Sequence, residues 1–285
     1  MTGAKSTEEK RRAALERLLQ RGTTDHYVDT ALYDFEYAER VDDIRWYRAV
    51  AGDQPLRIAE LGAGTGRITC PLARDGHTLE AIDLMPEMLA GLCARAEGED
   101  WADRITVYEA DMRALPLEDA SVDLVISPFN ALMHLYTWRD LLACFEEAFR
   151  VLVPGGRFAF DVQLPDIEWL TWDPDVRHAI TPFVHPVSGE KLVYSTNHRY
   201  DHATQICHIC LYYDEPTKGR RFRPPPKPKK LVRLAHRQIF PEEVRALVTT
   251  AGFTLSRHEG DFRGRALENI SETQAVVCTK PRKRA

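Results

Sequence analysis

Three acidic residues stand at the ends of short apolar runs, and their spacing indicates what the chain can do. Glu60 lies in Arg57-Ile58-Ala59-Glu60-Leu61, which continues into Gly62-Ala63-Gly64-Thr65-Gly66-Arg67. Glycines at alternating positions let the backbone turn sharply and approach a ligand where any Cβ would obstruct it. Asp83 closes Thr78 to Asp83, about twenty residues past the glycine turn, where a ribose diol is held by paired hydrogen bonds to a carboxylate. Asp111 follows a third run, Arg104 to Glu109. There a carboxylate can accept from an adenine amino group with Met112 against the ring, and capping a helix is its competing role. Glu60 beside the turn repels a pyrophosphate and suits a cationic ligand. Arg67 stands where the G-x-G-x-x-G pattern of dinucleotide-binding folds requires its third glycine.

The elements that must position these residues follow from the same periodicity. The apolar run that ends at Glu60, Thr78 to Asp83, Arg104 to Glu109, Ser121 to Ser127 and Arg157 to Val162 read as five strands. Helices or loops lie between them, starting at Ile68 and at Pro86 and running from Leu141 to Leu152. Pro154-Gly155-Gly156 reads as a turn. The alternation predicts an α/β fold with a doubly wound, mostly parallel sheet. Ahead of it, Ser6-Thr7-Glu8-Glu9 has the spacing of a capping box. The aromatic stretch Tyr33-Asp34-Phe35-Glu36-Tyr37 suits either plain packing or a cover over a ligand. From about Ile180 to Gln238 the pattern changes to three strand-like stretches, Lys191 to Tyr200, Gln205 to Tyr213 and Leu231 to Gln238, which predict an antiparallel insert after strand five. A helix from Phe240 to Ala251 and strands from Phe253 to Glu259 and Gln274 to Thr279 close the sheet. The expected division is 1–52, an N-terminal helical lid; 53–165, the core; 166–238, the insert; and 239–285, completion of the sheet.

Composition narrows the class. The 285 residues carry a net charge of −5, which argues against a protein that coats DNA. No run is long and apolar enough to span a membrane, and Met1 to Lys10 lacks a hydrophobic signal core, so a cytoplasmic location is expected. The six cysteines (Cys70, Cys93, Cys144, Cys207, Cys210 and Cys278) are scattered. Cys207 and Cys210 lie three apart in a predicted strand and face opposite sides, and no second pair completes a metal site. No metal is expected.

Glu60-Leu61-Gly62-Ala63-Gly64-Thr65-Gly66, Asp83, Asp111 and Leu152-Val153-Pro154-Gly155-Gly156-Arg157 resemble, in order and spacing, the motifs of class I S-adenosylmethionine (SAM) methyltransferases. The resemblance covers most of Leu56 to Val162. It implies a seven-stranded Rossmann-like sheet with one antiparallel strand, and SAM as methyl donor. Cofactor contacts carried over are Glu60, Gly62, Ala63, Gly64, Gly66, Arg67, Asp83, Leu84, Asp111, Met112, Pro128 and Phe129. More loosely, Tyr33-Asp34-x-x-Tyr37, the insert and Gly260-Asp261-Phe262-x-Gly264 are similar to small-molecule enzymes that N-methylate amino sugars. In that resemblance the tyrosine segment closes over SAM and the insert walls the acceptor, which places Tyr33, Asn130, Asp161 and Arg263 near the substrate.

Methyl transfer from a sulfonium needs alignment and exclusion of water more than strong acids and bases. A hydroxyl acceptor benefits from a base, and an amine need only be neutral. His134, shortly after Pro128-Phe129-Asn130, is the candidate base, because its ordinary pKa lies near neutrality; lining the next helix is its plain alternative. Tyr37 is a second candidate, as an acceptor of hydrogen bonds near the methyl group. Asp161 either orients the acceptor or caps the loop into Leu164-Pro165-Asp166. Ser127-Pro128-Phe129-Asn130 lacks the proline doublet of enzymes that methylate nucleic-acid bases or glutamine. The opposing feature is a basic run with Pro224-Pro225-Pro226 at its middle: Lys218, Arg220, Arg221, Arg223, Lys227, Lys229, Lys230 and Arg233. It suits RNA, a phosphorylated acceptor or a solvated hairpin tip. The basic tail, Lys280-Pro281-Arg282-Lys283-Arg284, reads as disordered. The expected activity is methyl transfer to N or O of a small molecule, with nucleic acid and membrane partners not expected. The alternatives are an RNA or protein methyltransferase recruited by the basic loop, and a SAM-binding module without catalysis.

Overall fold

The computed structural model describes residues 7–217, 224–225 and 227–282. Three helices come first: α1 (Thr7–Thr24), α2 (Thr30–Glu36) and α3 (Asp42–Ala51), with a single tight helical turn at Asp25–Tyr27. Next are β1 (Arg57–Leu61), α4 (Thr69–Arg74), β2 (Thr78–Asp83), α5 (Pro86–Ala96), β3 (Ile105–Glu109), β4 (Val122–Ser127), α6 (Trp138–Val151) and β5 (Leu152–Gln163). A short α7 (Ile167–Leu170) leads to β6 (His178–Val184), β7 (Lys191–Asp201), β8 (Ile206–Asp214) and β9 (Lys230–Arg237). The chain then forms α8 (Pro241–Thr250), β10 (Thr254–Glu259) and β11 (Thr273–Thr279).

The first sheet has the order β10-β11-β5-β4-β1-β2-β3, and β11 alone runs against its neighbours. Both faces are covered, so successive strand residues enter two different cores. Ala59 and Val125 pack with α6 and α8 through Phe145 and Val244. Ile58 and Leu124 pack with α3, α4 and α5 through Tyr47, Leu72 and Leu92. Strand order reverses between β1 and β4, and their carboxyl ends open the crevice where α/β sheets bind ligands.

The second sheet, β6-β7-β8-β9, is antiparallel throughout. Its fourth strand, β6, is absent from the expected three, because Pro182 interrupts the pattern. Proline is tolerated there because β6 is an edge strand. Pro154-Gly155-Gly156 also differs from expectation: it lies inside β5 rather than ahead of it. The Gly155 amide donates to the Lys280 carbonyl at 2.8 Å, and the Lys280 amide to the Gly156 carbonyl at 2.9 Å, which prolongs the pairing. Lys280 itself is part of the fold and not a disordered tail. Its ammonium donates to the carbonyls of Phe149 and Leu152, both at 2.7 Å, at the negative end of α6.

Several sequence features fall outside the described residues: Ser6 of the capping box, Lys218, Arg220, Arg221 and Arg223 of the basic run, Pro226, and Lys283 and Arg284 of the tail. Of the remaining basic run, Lys229 is paired with Glu190 and Glu215, and Lys230 with Asp29. No helix among the described residues is long and apolar enough to cross a membrane.

The glycine turn is fixed by packing as well as by backbone conformation. Gly66 has a φ of 84°, and a Cβ there would lie 2.3 Å from Leu92 Cδ1 and 2.9 Å from Cys70 Sγ. Gly66→Ala is therefore expected to lower unfolding stability by roughly 2–3 kcal/mol. Urea denaturation checks this, and an unchanged midpoint would reject the packing account.

Candidate active site

The glycine turn wraps over the end of β2. The amides of Gly62 and Ala63 both donate to the Ile82 carbonyl, at 2.8 and 3.0 Å. The next N–H, that of Gly64, donates to Asp83 Oδ2 at 2.8 Å, while Asp83 Oδ1 accepts from Met85 N–H at 2.8 Å. Asp83 is thus clamped at the mouth of the crevice with one backbone donor on each oxygen, and lone pairs remain on both. Burial raises its pKa, and the amides of Met85, Gly64 and Leu84 oppose that rise. Leu84, half exposed, follows directly. A Cβ on Gly62 would meet Ala131 Cβ at 2.8 Å and Met112 Cε at 4.0 Å, so the turns after β1 and β4 touch and Met112 reaches both. Gly64, at a φ of 58°, faces Met88.

Glu60 is buried, and its Oε2 accepts from the Thr69 hydroxyl at 2.6 Å. Burial pushes its pKa up to about 8, against the pull of Thr69 and Arg67. It is therefore mostly protonated near neutrality and binds inside the protein rather than standing as a free anion. Arg67 is occupied too: its guanidinium donates to both carboxylate oxygens of the buried Asp43, at 2.8 and 2.6 Å, and to the Arg40 carbonyl at 3.0 Å. Asp111 is held by Arg113, whose Nε and Nη2 donate to it at 3.0 and 2.6 Å, while Nη1 reaches Asp140 at 2.5 Å. Those bonds draw the Asp111 pKa down.

Facing this crevice is a cluster of rings from four segments. The Asp25–Tyr27 turn brings His26 and Tyr27, α2 and its end bring Tyr33 and Tyr37, the β4–α6 connection brings Phe129 and His134, and β9 brings His236. Tyr33 and Tyr37 pack edge-on at 4.9 Å, and Tyr37 meets Phe129 at 4.7 Å. The Tyr27 hydroxyl lies 2.6 Å from His134 Nε2, and His26 Nε2 lies 3.2 Å from the Tyr37 hydroxyl. The His134 and His236 rings are 5.0 Å apart. His134 Nδ1 is buried with no hydrogen-bond partner among the described residues. Burial lowers the pKa of His134 well below its ordinary value, with His236 and His26 adding to the effect. Burial likewise takes His26 and His236 down to about 4. It raises the phenols of Tyr27, Tyr33 and Tyr37 far above their ordinary range. The histidine expected to titrate near neutrality is therefore neutral and weakly basic.

The four residues expected near a substrate separate. Tyr33 joins the ring cluster. Asn130 and Arg263 line one cavity of about 1620 Å³, with Arg40, Asp42, Gln163 and Trp169. Arg263 is exposed and donates to Asp42 at 3.0 Å. Asn130 Oδ1 accepts from Gln163 N–H at 2.6 Å, which leaves its amide N–H groups free for the cavity. Asp161 is fully buried behind the turn after β4, where Oδ1 accepts from Phe129 N–H and from the Tyr47 hydroxyl at 2.8 and 2.7 Å. Pro128 is buried beside it. His26, Tyr27, Tyr47 and His236 carry no motif, and the density of tyrosines between Tyr27 and Tyr37 signals Tyr27 alone. Among the described residues no group of three or more His, Cys, Asp or Glu could hold a metal. Cys207 is buried, and Cys210 Sγ lies 3.8 Å from Arg233.

Residues 58–156 match the family model described as a methyltransferase domain. YqeM of Bacillus subtilis is 32% identical over 144 residues, which is 47% of this chain and 57% of that protein, so the chain spans little more than half of this curated relative. The fold is similar to that of the CcbJ methyltransferase from Streptomyces caelestis, at a TM-score of 0.70 and 20% identity over 90% of this chain and 98% of that one. It is also similar to SAM-bound CalS10, an amino pentose methyltransferase from Micromonospora echinaspora, at a TM-score of 0.55 and 20% identity over 98% and 100% of the two chains.

The ring cluster gives a signed pH dependence. Three histidines whose folded pKa lies below the unfolded value of about 6.5 contribute stability that is complete above that pH and lost as pH falls toward 4. Glu60 has the opposite sign, its contribution being lost as pH rises toward about 8. His236→Gln removes one of the three, so the fall in melting temperature between pH values of about 7 and 5 should be smaller in the variant than in the parent. An identical fall in both proteins would remove His236 from the effect.

Proposed function

We propose that the protein transfers a methyl group from SAM to a nitrogen atom of a small-molecule acceptor. The observation that carries the donor half is the clamped Asp83. Its carboxylate sits at the switch point with one backbone donor on each oxygen, and the remaining lone pairs suit the two hydroxyls of a ribose. The residues fit the donor in two further respects. The Gly62 and Gly64 turn offers a close backbone approach, and the orphan His134 Nδ1 lies within a ring cluster able to surround a cation. Met112 and Leu84 would flank the adenine, and Asp111 would meet its amino group while remaining paired with Arg113. Arg67 and Glu60 would act by ordering the turn.

When bound, SAM supplies an electrophilic methyl on a sulfonium. What the chain contributes is alignment and dryness. Tyr33, Tyr37 and Phe129 would exclude water from the methyl group and face its positive charge. The nitrogen reading rests on the bases present: the histidines are weakly basic and the tyrosines are held as neutral phenols. Such groups cannot ionise a hydroxyl. An amine needs no such base: its neutral form attacks the methyl group with its own lone pair, the sulfur leaves as a neutral thioether, and the ammonium that forms gives its proton to water after release. His134, hydrogen-bonded to Tyr27, is proposed to hold the neutral amine by a hydrogen bond with its lone pair toward the methyl group, with Tyr37 nearby. That CalS10 is an amino pentose methyltransferase supports the same choice.

The acceptor is proposed to enter from the cavity that reaches Asn130 and Arg263, with residues 1–52 acting as a lid, 53–165 as the donor-binding core, 166–238 as the acceptor wall and 239–285 completing the sheet. The lid is attached to both partners. Asp34 bonds to Thr65 and to Arg95, both at 2.6 Å, on the core side. Glu36 accepts from Tyr213 at 2.7 Å on the insert side. An RNA or protein acceptor is the weaker reading, because Lys229 and Lys230 are spent on carboxylates of the chain itself.

Calorimetry with SAM and its demethylated product tests the donor, and failure to bind either would refute the reading. Asp83→Ala should weaken SAM binding by on the order of 1–3 kcal/mol, the loss of charge-assisted hydrogen bonds. A parental affinity would remove Asp83 from the ribose role. Transfer of labelled methyl into small-molecule extracts identifies the acceptor. With that acceptor at saturation, His134→Ala should slow turnover, and undiminished turnover would reject its part in orienting the amine.

A further inference from the structure

Directly after β4, two consecutive residues other than glycine, Phe129 and Asn130, adopt left-handed conformations at φ values of 55° and 64°. Such backbone persists only where its surroundings over-determine it. Here the surroundings are β5 and α3. Asp161 Oδ1 accepts from Phe129 N–H at 2.8 Å, the Asp161 carbonyl accepts from Asn130 N–H at 3.3 Å, and Asn130 Oδ1 accepts from Gln163 N–H at 2.6 Å. Tyr47, from the middle of α3, then locks the acceptor in place. Its hydroxyl donates to the same Asp161 Oδ1 at 2.7 Å and lies 3.3 Å from the Ser127 carbonyl.

Neither Tyr47 nor Asp161 has any exposed surface. Asp161 has no ion pair among the described residues, and its Oδ2 has no hydrogen-bond partner there. A buried carboxylate in this state is costly and adds less to stability than a neutral pair would. What it does secure is the direction of one ring. The Phe129 ring lies 4.7 Å from Tyr37 and 6.4 Å from Tyr33, with the guanidinium groups of Arg40 and Arg67 over it at 4.5 and 5.0 Å. A rotation of the turn would move this ring out of the cluster.

We propose that Tyr47 and Asp161 are positioning residues for methyl transfer: they hold the left-handed Phe129–Asn130 turn and thereby set the Phe129 ring against the methyl-bearing sulfonium. The inference rests on the donor reading above. It assigns to Asp161 a place behind the site, where it touches neither donor nor acceptor, and to Tyr47 a function that its position in a packed helix does not announce.

SAM and S-adenosylhomocysteine differ only in the methyl group and the charge on sulfur, so the ratio of their affinities reads what surrounds the methyl-bearing sulfur and not the contacts that the two ligands share. Tyr47→Phe, which removes a single hydroxyl, should weaken SAM binding about tenfold in calorimetry and leave the homocysteine product within about twofold. Equal losses for the two ligands, or no loss, would overturn the proposal and leave Tyr47 a packing residue. Asp161→Asn supplies the second test, because the amide keeps an oxygen for Phe129 N–H and Tyr47. Its affinity ratio should stay near the parental one, and a collapse of that ratio would show that charge matters rather than position. If the parent protein binds neither ligand, the donor reading itself is refuted, a result distinct from a change in ratio.

Discussion

The site depends on a buried ion pair between Arg67 and Asp43. Asp43 is fully buried in the first turn of α3, and Arg67 reaches it from the glycine turn with two parallel bonds at 2.8 and 2.6 Å. The same guanidinium holds the Arg40 carbonyl and lies over Phe129. One side chain therefore fixes the turn after β1, the start of α3 and the turn after β4 relative to one another. Removing either partner would leave a buried charge uncompensated, at a cost of roughly 3–5 kcal/mol, whereas the pair itself contributes little net stability. Its value is geometric: a bidentate fork accepts one orientation. This gives a physical reason for arginine where a dinucleotide-binding turn carries glycine.

The donor half of the site was legible in the sequence because it is local. Glu60, the three glycines and Asp83 lie at strand ends, and the chemistry of a strand-to-helix turn depends on residues adjacent in the chain. The strand ends themselves were placed within a residue or two for β1, β2, β3 and β4. Asp161 was legible as a residue of consequence, though not in its role, since nothing in Phe160-Asp161-Val162 indicates that the carboxylate faces α3. The ring cluster was only half legible. Tyr33, Tyr37, Phe129 and His134 stand out, yet His26, Tyr27 and His236 join them through the docking of a helical turn and a β strand more than a hundred residues apart. The contact that permits this docking is also silent in sequence: Gly22 in α1 lies so close to Ala235 that a Cβ there would sit 2.5 Å from the Ala235 Cβ. A glycine inside a helix reads as a weakness until the neighbouring strand is known.

Burial sets the electrostatics of the crevice. Burial raises the pKa of Glu60, Asp83 and Asp161, and lowers that of His26, His134 and His236. Every one of these shifts favours the neutral form of its group. A cation entering the crevice changes the balance for the carboxyl groups alone. It favours their ionised form, draws the raised pKa values back down, and further disfavours protonation of the histidines. A sulfonium in the crevice would therefore favour ionised carboxyl groups and leave the imidazoles neutral. Departure of the positive charge with the methylated acceptor would reverse the effect on the carboxyl groups, which again favour their protons, while burial keeps the histidines neutral throughout. The charge states that favour donor binding thus disfavour retention of the neutral product, and this follows from burial and Coulomb interactions, with no base of unusual strength.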